Sequence, residues 1–330
     1  MGITDEGVIM FFTDYSKSIR EGLVTIGMPV FNGEATITEA LDSLLGQTYS
    51  DFELFISDNA STDRTGEICK RYQARDNRVC YHRNTENIGP TANFNKLIEM
   101  GNGSLFMWAA CDDLWEPDFI GELVRLLKND PSAVLAFCQV DYVEVSGSQA
   151  YPGKRLSSLA KPRSVTGRMA RFLLFPEVES KACIFYGLIR REALIQVGGV
   201  YSRYDDGQVS DGADLHALFL LATHGGFLIS EKTLFHKRFQ PVSRLVEIMT
   251  NPRDIRLEYQ SYRREIDSSE LSGFKKCVVQ GAALLNYLRR LARNLIGKGL
   301  IGLRFTSLEP FYFQTILRLQ SLFRRCLQRQ

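Results

Sequence analysis

Apolar positions along the chain switch between two periods in regular alternation. Leu23-Val24-Thr25-Ile26-Gly27-Met28-Pro29-Val30 is a short, partly β-branched run stopped by Asn32-Gly33, which reads as a buried strand closed by a turn. Ala35, Ile37, Ala40, Leu41, Leu44 and Leu45 follow at helical spacing until about Gln47, so a helix with one apolar face is expected. The exchange then repeats. Phe52 to Ser57 reads as a strand ending in Asp58-Asn59, and Ser61, Thr62 and Asp63 offer caps for a helix reaching about Arg75. A strand near Val79 to His82, a loop from Asn84 to Pro90 and a helix from Thr91 to Met100 come next. A Gly-Asn-Gly turn then leads into a strand from Ser104 to Ala110, which ends in Cys111-Asp112-Asp113.

Strands alternating with helices of this length predict an α/β fold, with a mostly parallel, doubly wound, Rossmann-like sheet. Such sheets bind ligands outside the carboxyl ends of their strands. Asp58 and the Asp112-Asp113 pair fall at two such ends, so two acidic sites are expected to converge on one crevice. Beyond Asp118 the pattern predicts a helix to about Asn129 and a strand from Ala133 to Tyr142. Ser146 to Ser164, rich in Ser, Gly, Pro and Lys, reads as a loop. Apolar helical and strand material resumes from Met169 to Phe235, and the tail after Ser243 reads as helical. The chain therefore divides into an extension at 1–21, an α/β domain at 22–243 with halves 22–118 and 119–243, and a helical C-terminal region at 244–330.

Composition narrows the function classes. A content of 45% hydrophobic and 24% charged residues is ordinary for a globular chain and supports a full core. The seven cysteines form no C-x-x-C pair and no zinc-finger spacing, so neither a disulfide framework nor a structural zinc site is indicated. Reduced thiols and a cytoplasmic location are expected. No apolar run approaches the ~18 residues that span a bilayer, and Val8 to Phe12 lacks the flanks of a signal peptide. The net charge of +2 hides an asymmetry. From Phe274 onward, eleven Lys or Arg face the single acid Glu309, a net of +10 that leaves −8 on the first 273 residues. An acidic body argues against nucleic acid as a partner.

The first strand-to-helix turn reads Pro29-Val30-Phe31-Asn32-Gly33-Glu34 and contains neither G-x-G-x-x-G nor G-x-x-x-x-G-K-[ST]. A phosphate bound here must be neutralised by something other than a glycine-rich backbone nest. Two adjacent carboxylates at a strand end suit that task indirectly, by holding a hard divalent cation that bridges diphosphate oxygens. The same pair also reads as a polar turn before the helix near Glu116-Pro117. Buried strand residues Trp108-Ala109-Ala110 carry the pair to a fixed place.

Together, the turn at 29–34, Ser57-Asp58-Asn59-Ala60-Ser61-Thr62-Asp63, Asn87-Ile88-Gly89 with Asn93, and the segment from Trp108 to Pro117 resemble the family 2 glycosyltransferases. That family has the GT-A fold and moves sugars, with inversion, from nucleotide diphosphate donors. The resemblance covers residues 22–145 and, more weakly, 165–243. It implies a nucleotide-binding half at 22–118 and an acceptor half at 119–243. Asp58 would then accept a hydrogen bond from the donor's base, with Pro29, Phe31 and Asn32 lining the base and ribose pocket. Glu34, Asn59, Asn87 and Asn93 belong to the same nucleotide-binding set. Asp112 would take the metal position of the family's D-x-D motif, with Asp113 beside it, and Ala110 replaces the motif's first Asp. A Mg²⁺ or Mn²⁺ cofactor follows, as do a nucleotide-sugar donor, UDP-sugar favoured, and a saccharide or lipid-linked acceptor in cell-surface polysaccharide synthesis.

Inverting transfer needs a base for the acceptor hydroxyl. Asp211-Gly212-Ala213-Asp214, before the apolar helical run Leu215 to Ala222, resembles the family's base-bearing segment, with Asp214 in the base position. Asp214 also reads as a favourable partner of its helix dipole. Where family members carry a histidine before a proline, this chain has Gln240-Pro241, and an amide can coordinate a hard cation through its oxygen or simply donate to phosphate. Arg238 suits a diphosphate through its fixed charge and planar fork, or is an ordinary surface arginine. A degenerate sugar-nucleotide-binding or scaffold protein is the alternative that Ala110 and Gln240 raise, and a sugar-nucleotide nucleotidyltransferase, which would want a glycine-rich, basic triphosphate loop near the first strand, is the enzyme rival.

Two stripes mark the tail: Leu284, Leu288, Leu291 and Leu295 beside Arg289, Arg290 and Arg293, and Tyr312, Ile316, Leu319, Phe323 and Cys326 beside Arg318, Arg324 and Arg325. Apolar faces flanked by arginines fit peripheral helices on an anionic membrane surface. They equally fit packing on the catalytic domain or on a second subunit of a homo-oligomer.

Overall fold

The computed structural model describes residues 19–144, 150–153, 155–160, 162–175, 178–200, 213–239 and 252–297. The chain forms two compact units, one from residues 1–162 and 175–241, the other from 163–174 and 242–330.

The first unit opens with β1 (Arg20–Val30), α1 (Ile37–Leu45), β2 (Phe52–Asp58), α2 (Thr65–Arg75), β3 (Val79–Arg83), α3 (Pro90–Met100) and β4 (Gly103–Trp108). It continues with β5 (Leu114–Trp115), α4 (Phe119–Asn129), β6 (Ala133–Glu144) and β7 (Ala150–Pro152). After the helix α5 (Val165–Leu174), which belongs to the other unit, come α6 (Val178–Cys183), β8 (Leu188–Arg190), α7 (Arg191–Gln196), α8 (Ala213–His224) and β9 (Gly226–Phe239). The strands form one sheet in the order β3-β2-β1-β4-β8-β6-β9-β5, with β7 beside β6. β1 to β4 pair in parallel. β8 runs antiparallel between β4 and β6, and β9 is parallel to β6 and antiparallel to β5.

The central strand is apolar because both of its faces are covered. Val24, Ile26 and Met28 have no exposure, nor has Thr25. The Thr25 hydroxyl is tolerated because it donates to Glu53 Oε1 at 2.7 Å and accepts the Gly103 N–H at 2.9 Å. Gly27 marks where α3 crosses the strand, since a Cβ there would lie 2.9 Å from both Leu97 Cβ and Phe106 Cζ. The chain order reverses at β1, with β2 and β3 on one side and β4 on the other, so β1 and β4 flank the switch point where such sheets bind ligands.

Part of the segment expected as a loop between Ser146 and Ser164 is structured. Ala150 to Pro152 pair antiparallel with Asp141 to Val143, and a 3₁₀ turn spans Ser157–Leu159. Leu156 and Leu159 are buried. Gln139 holds the turn, accepting the Leu156 N–H at 3.1 Å and donating to Ser157 Oγ at 3.2 Å and the Ser230 carbonyl at 3.1 Å. Two leucines and one amide outweigh the turn-forming composition around them.

The second unit contains α5, α9 (Pro252–Ser268) and α10 (Gly273–Gly297). Met169, Phe172 and Leu173 of α5 are buried, as are Ile255, Tyr262 and Ile266 of α9 and Val278, Val279, Ala282 and Ala283 of α10. Tyr259 and Tyr287 stack at 4.7 Å. Arg290 pairs with Glu258, and Arg289 donates to the Leu174 carbonyl and to Asn286 Oδ1. Two of the arginines beside the first tail stripe therefore tie helices together, while Leu284 and Leu288 stay 43% and 48% exposed. Among the described residues, no helix is long and apolar enough to cross a membrane. The stripe from Tyr312 to Cys326 lies outside the described residues.

Candidate active site

Two loops at the carboxyl ends of β1 and β2 are laced together by side chains. Asn32, in the left-handed region at φ 54°, donates its N–H to Ser61 Oγ at 2.9 Å and accepts the Thr62 N–H at 2.8 Å. Gly33 N–H donates to Thr65 Oγ1, Glu34 N–H to Asp63 Oδ2, and Arg64 N–H to Glu34 Oε2. Asp63 also accepts the Thr65 N–H at the start of α2. These bonds satisfy loop amides that no ladder reaches. They leave Phe31 half-exposed at 50%, directly after β1 and beside half-buried Pro29.

Asp58, the last residue of β2, is fully buried. Its Oδ1 accepts the Ser61 N–H at 2.8 Å, and its Oδ2 accepts the Tyr81 hydroxyl at 2.6 Å and Arg83 Nη1 at 2.9 Å. Burial opposes ionisation of Asp58, but the hydrogen bonds from Ser61 and Tyr81 and the Arg83 charge outweigh it and hold the carboxyl below the usual range. Behind it runs a network of amides. Asn59 donates to Asn87 Oδ1 and accepts from Asn84 and the Ile88 N–H. Asn93 accepts from Ser57 Oγ and Asn84 and donates to the Ser57 carbonyl. Asn59 and Asn93 are therefore buried braces of the loops around Asp58, and Asn87 joins them from an exposed position.

At the end of β4 the two acidic residues diverge. Asp113 is fully buried, with Lys237 Nζ 2.9 Å from Oδ2 and the Arg238 N–H 3.0 Å from Oδ1. Burial pushes its carboxyl up to about 6 even with Lys237 against it. Asp112 is half-buried, and among the described residues no hydrogen bond or ion pair engages its carboxylate. Cys111 lies under the β1–α1 loop, where its carbonyl accepts the Thr36 hydroxyl at 2.9 Å. Burial, Asp112 and Asp113 push its thiol up to about 12, which makes it a packing residue and not a nucleophile.

Lys237 and Tyr186 had no signal in the sequence. The Lys237 ammonium sits 4.7 Å over the Tyr186 ring, and burial raises the Tyr186 phenol, which also senses Lys237, Asp113, Asp214 and Asp112. Asp214, in the first turn of α8, thus shares its surroundings with the acidic pair although about 100 residues separate them. Its Oδ1 accepts the Leu215 N–H at 2.8 Å. Arg238 is buried, donates to Glu39 Oε2 at 2.6 Å, and keeps an Nε–H without a hydrogen-bond partner among the described residues. His236 lies beside Glu116, Nε2 to Oε1 at 2.8 Å. Gln240 and Asp211 lie outside the described residues.

Among the described residues there is no group of three or more His, Cys, Asp or Glu able to hold a divalent cation. A single free carboxylate at Asp112 fits an ion that takes its remaining oxygens from a diphosphate and water, as Mg²⁺ commonly does.

A mostly parallel sheet flanked by helices, with β8 antiparallel between β4 and β6, is the architecture of the GT-A fold. The model for "Glycosyl transferase family 2" matches residues 25–198, more than half of the chain, and the chain belongs to that family. The glycosyltransferase GlyG of Streptococcus pneumoniae is 24% identical over 260 residues, 78% of this chain and 84% of GlyG. An uncharacterized glycosyltransferase of Rickettsia typhi is 32% identical over 139 residues, 41% of this chain and 42% of that protein, so the chain spans less than half of that relative's length. Among solved structures, S. aureus TarS 1-349 in complex with UDP-GlcNAc superposes with a TM-score of 0.64 at 16% identity, covering 90% of this chain and 80% of that one. Mannosyltransferase PcManGT from Pyrobaculum calidifontis, in complex with GDP-Man and Mn²⁺, gives 0.57 at 18% identity, covering 92% and 82%.

Proposed function

We propose that the protein is an inverting glycosyltransferase that moves a sugar from a nucleotide diphosphate donor to a hydroxyl of a saccharide or lipid-linked acceptor. The observation that carries this reading is the asymmetry at the end of β4: Asp113 is locked by Lys237 while Asp112, beside the switch point, has no partner among the described residues. The half-exposed Phe31 ring offers a stacking surface for the base. Pro29 and Asn32 flank it, and Asp58 sets the floor of the pocket, held ionised by Tyr81 and Arg83. Glu34, Asn59, Asn87 and Asn93 hold the loops in place. Arg238 lends a fixed positive charge near the diphosphate.

Asp112 would hold Mg²⁺ or Mn²⁺ together with diphosphate oxygens, with Gln240 as a further ligand candidate. The ion's contribution is to stabilise charge on the leaving nucleoside diphosphate. Asp214 takes the proton of the acceptor hydroxyl as it attacks the anomeric carbon, and loop bracing fixes donor and acceptor in line. A UDP-sugar is the favoured donor, with a role in cell-surface polysaccharide synthesis. The exposed Leu284 and Leu288 support a peripheral position at an anionic membrane, which would bring a lipid-linked acceptor within reach.

A thermal-shift screen of UDP, UDP-GlcNAc and GDP-Man with Mg²⁺ or Mn²⁺ tests the donor site, because a ligand that binds only the native state raises the melting temperature. A uridine ligand should raise it further with metal than without. No shift with any nucleotide would overturn the reading. Binding without transfer or donor hydrolysis would favour a scaffold protein instead.

A further inference from the structure

The face of β9 that carries Lys237 continues across two further strands as a row of tyrosines. Register sets Lys237 opposite Tyr142 of β6, and Tyr142 opposite Tyr151 of β7. Residues paired directly across strands lie on one face of a sheet, and contacts fix which face this is. Lys237 reaches the Tyr186 ring at 4.7 Å, and the Tyr142 hydroxyl lies 3.9 Å from Cys183 Sγ, on the segment that leads into Tyr186. Exposure rises along the row, from half-buried Tyr186 and Tyr142 to Tyr151 at 39%. The Tyr151 hydroxyl donates to Glu144 Oε1 at 3.3 Å, and Glu144 shares the face of Tyr142 because side chains alternate along a strand. At the inner end, Phe235 lies nearly parallel to the Tyr186 ring at 6.0 Å and Phe185 meets it edge-on at 5.6 Å. The ring is thus held firmly, while among the described residues its hydroxyl takes no hydrogen bond. Asp112, Asp113 and Asp214 all act on that phenol, so the row starts where the acidic pair and Asp214 meet and runs outward.

We propose that Tyr186, Tyr142 and Tyr151 floor a track for a saccharide longer than one sugar ring, with its reacting end at Tyr186 and the ring behind it toward Tyr151. Calling that saccharide the acceptor rests on the donor-site reading above. A pyranose has apolar C–H faces and a polar rim of hydroxyls, and a tyrosine matches both with a flat apolar ring and a polar tip. Adjacent strands lie about 4.8 Å apart, so the row from β9 to β7 spans roughly 10 Å, more than one pyranose covers. Glu144 at the outer end adds an acceptor for sugar hydroxyls, and the Tyr186 hydroxyl at the inner end can donate or accept.

A glycan array of monosaccharides with their linear dimers and trimers, read on the full chain with UDP and Mn²⁺ present, tests the track, and calorimetry of UDP is the control. The wild type should retain at least one dimer or trimer about tenfold more strongly than its monomer, the scale of one good aromatic contact. Tyr151→Ala, at an exposed position, should bring that oligomer to within about threefold of the monomer and leave UDP affinity unchanged. Tyr186→Phe keeps the ring and its packing but loses the hydroxyl, and should weaken monomer and oligomer alike by about tenfold. It decides the matter if Tyr151→Ala disturbs β7. An array that retains no glycan, or an oligomer held by both variants as tightly as by the wild type, would overturn the track, and UDP binding in the same samples would leave the donor site standing. Glycans retained without any UDP binding would sink the donor-site reading and leave the saccharide track.

Discussion

Asp214 and Phe31 sit on different elements and should fail differently when changed. If Asp214 is the base, Asp214→Asn should hold UDP affinity by calorimetry while turnover falls about 100-fold or more, the scale of a lost general base. A parallel fall in UDP affinity would show that Asp214 acts through the fold. Phe31→Ala removes a half-exposed ring and should weaken UDP by about tenfold, the worth of about 1 kcal/mol or more of aromatic stacking, with turnover at saturating donor nearly unchanged. At this scale, acidic strand ends could be read from the chain because a carboxylate after an apolar run has few other places to go. Asn59 and Asn93 could not be placed so easily, since an amide that binds a ligand and an amide that braces a loop look alike until their partners are seen. Lys237 stood among His236 and Arg238 in a run of bases, and only its distance to Asp113 sets it apart.

Between elements, two contacts hold helices against the sheet. Gly27 lets α3 lie on β1, and Gly27→Ala should cost about 1–3 kcal/mol through overpacking against Leu97 and Phe106, seen as a lower midpoint in urea. An unchanged midpoint would mean that α3 shifts freely. Glu122 of α4 accepts from Arg125, Ser230 and Lys232. The hydrogen bond from Arg125, opposed by burial and joined by Ser230 and Lys232, lowers its carboxyl to about 2. A folded value below the ordinary 4.5 means stability that is complete above about pH 4.5 and lost as the pH falls toward 2. Glu122→Gln should therefore cost about 1–3 kcal/mol at neutral pH and flatten the acid limb of the stability curve. A variant with the wild-type acid limb would remove Glu122 from that role. Apart from the two-residue β5, element order through β6 followed the periodicity of the chain, whereas β7 and the turn at Ser157–Leu159 escaped it because their partners, Asp141 to Val143 for β7 and Gln139 for the turn, lie on another element.

For the whole molecule, the charge asymmetry and the exposed Leu284 and Leu288 point to one assay. If α10 meets an anionic membrane, Leu284→Gln/Leu288→Gln should weaken co-sedimentation with phosphatidylserine vesicles about tenfold or more, since each leucine is worth about 1.5–3 kcal/mol when fully buried. Vesicles that bind neither protein, or both equally, would return the stripe to packing or to a second copy of the chain. The sequence by itself determined the alternation of strands and helices, the position of the acidic residues at strand ends and the uneven spread of charge, because period and composition are local properties. Tertiary structure alone decided which carboxylate of the acidic pair is open, that Tyr186 and Asp214 share its surroundings, and that Arg289 and Arg290 bind helices together. Those outcomes depend on which distant groups the fold brings within a few ångströms, and no local pattern in the chain encodes such distances.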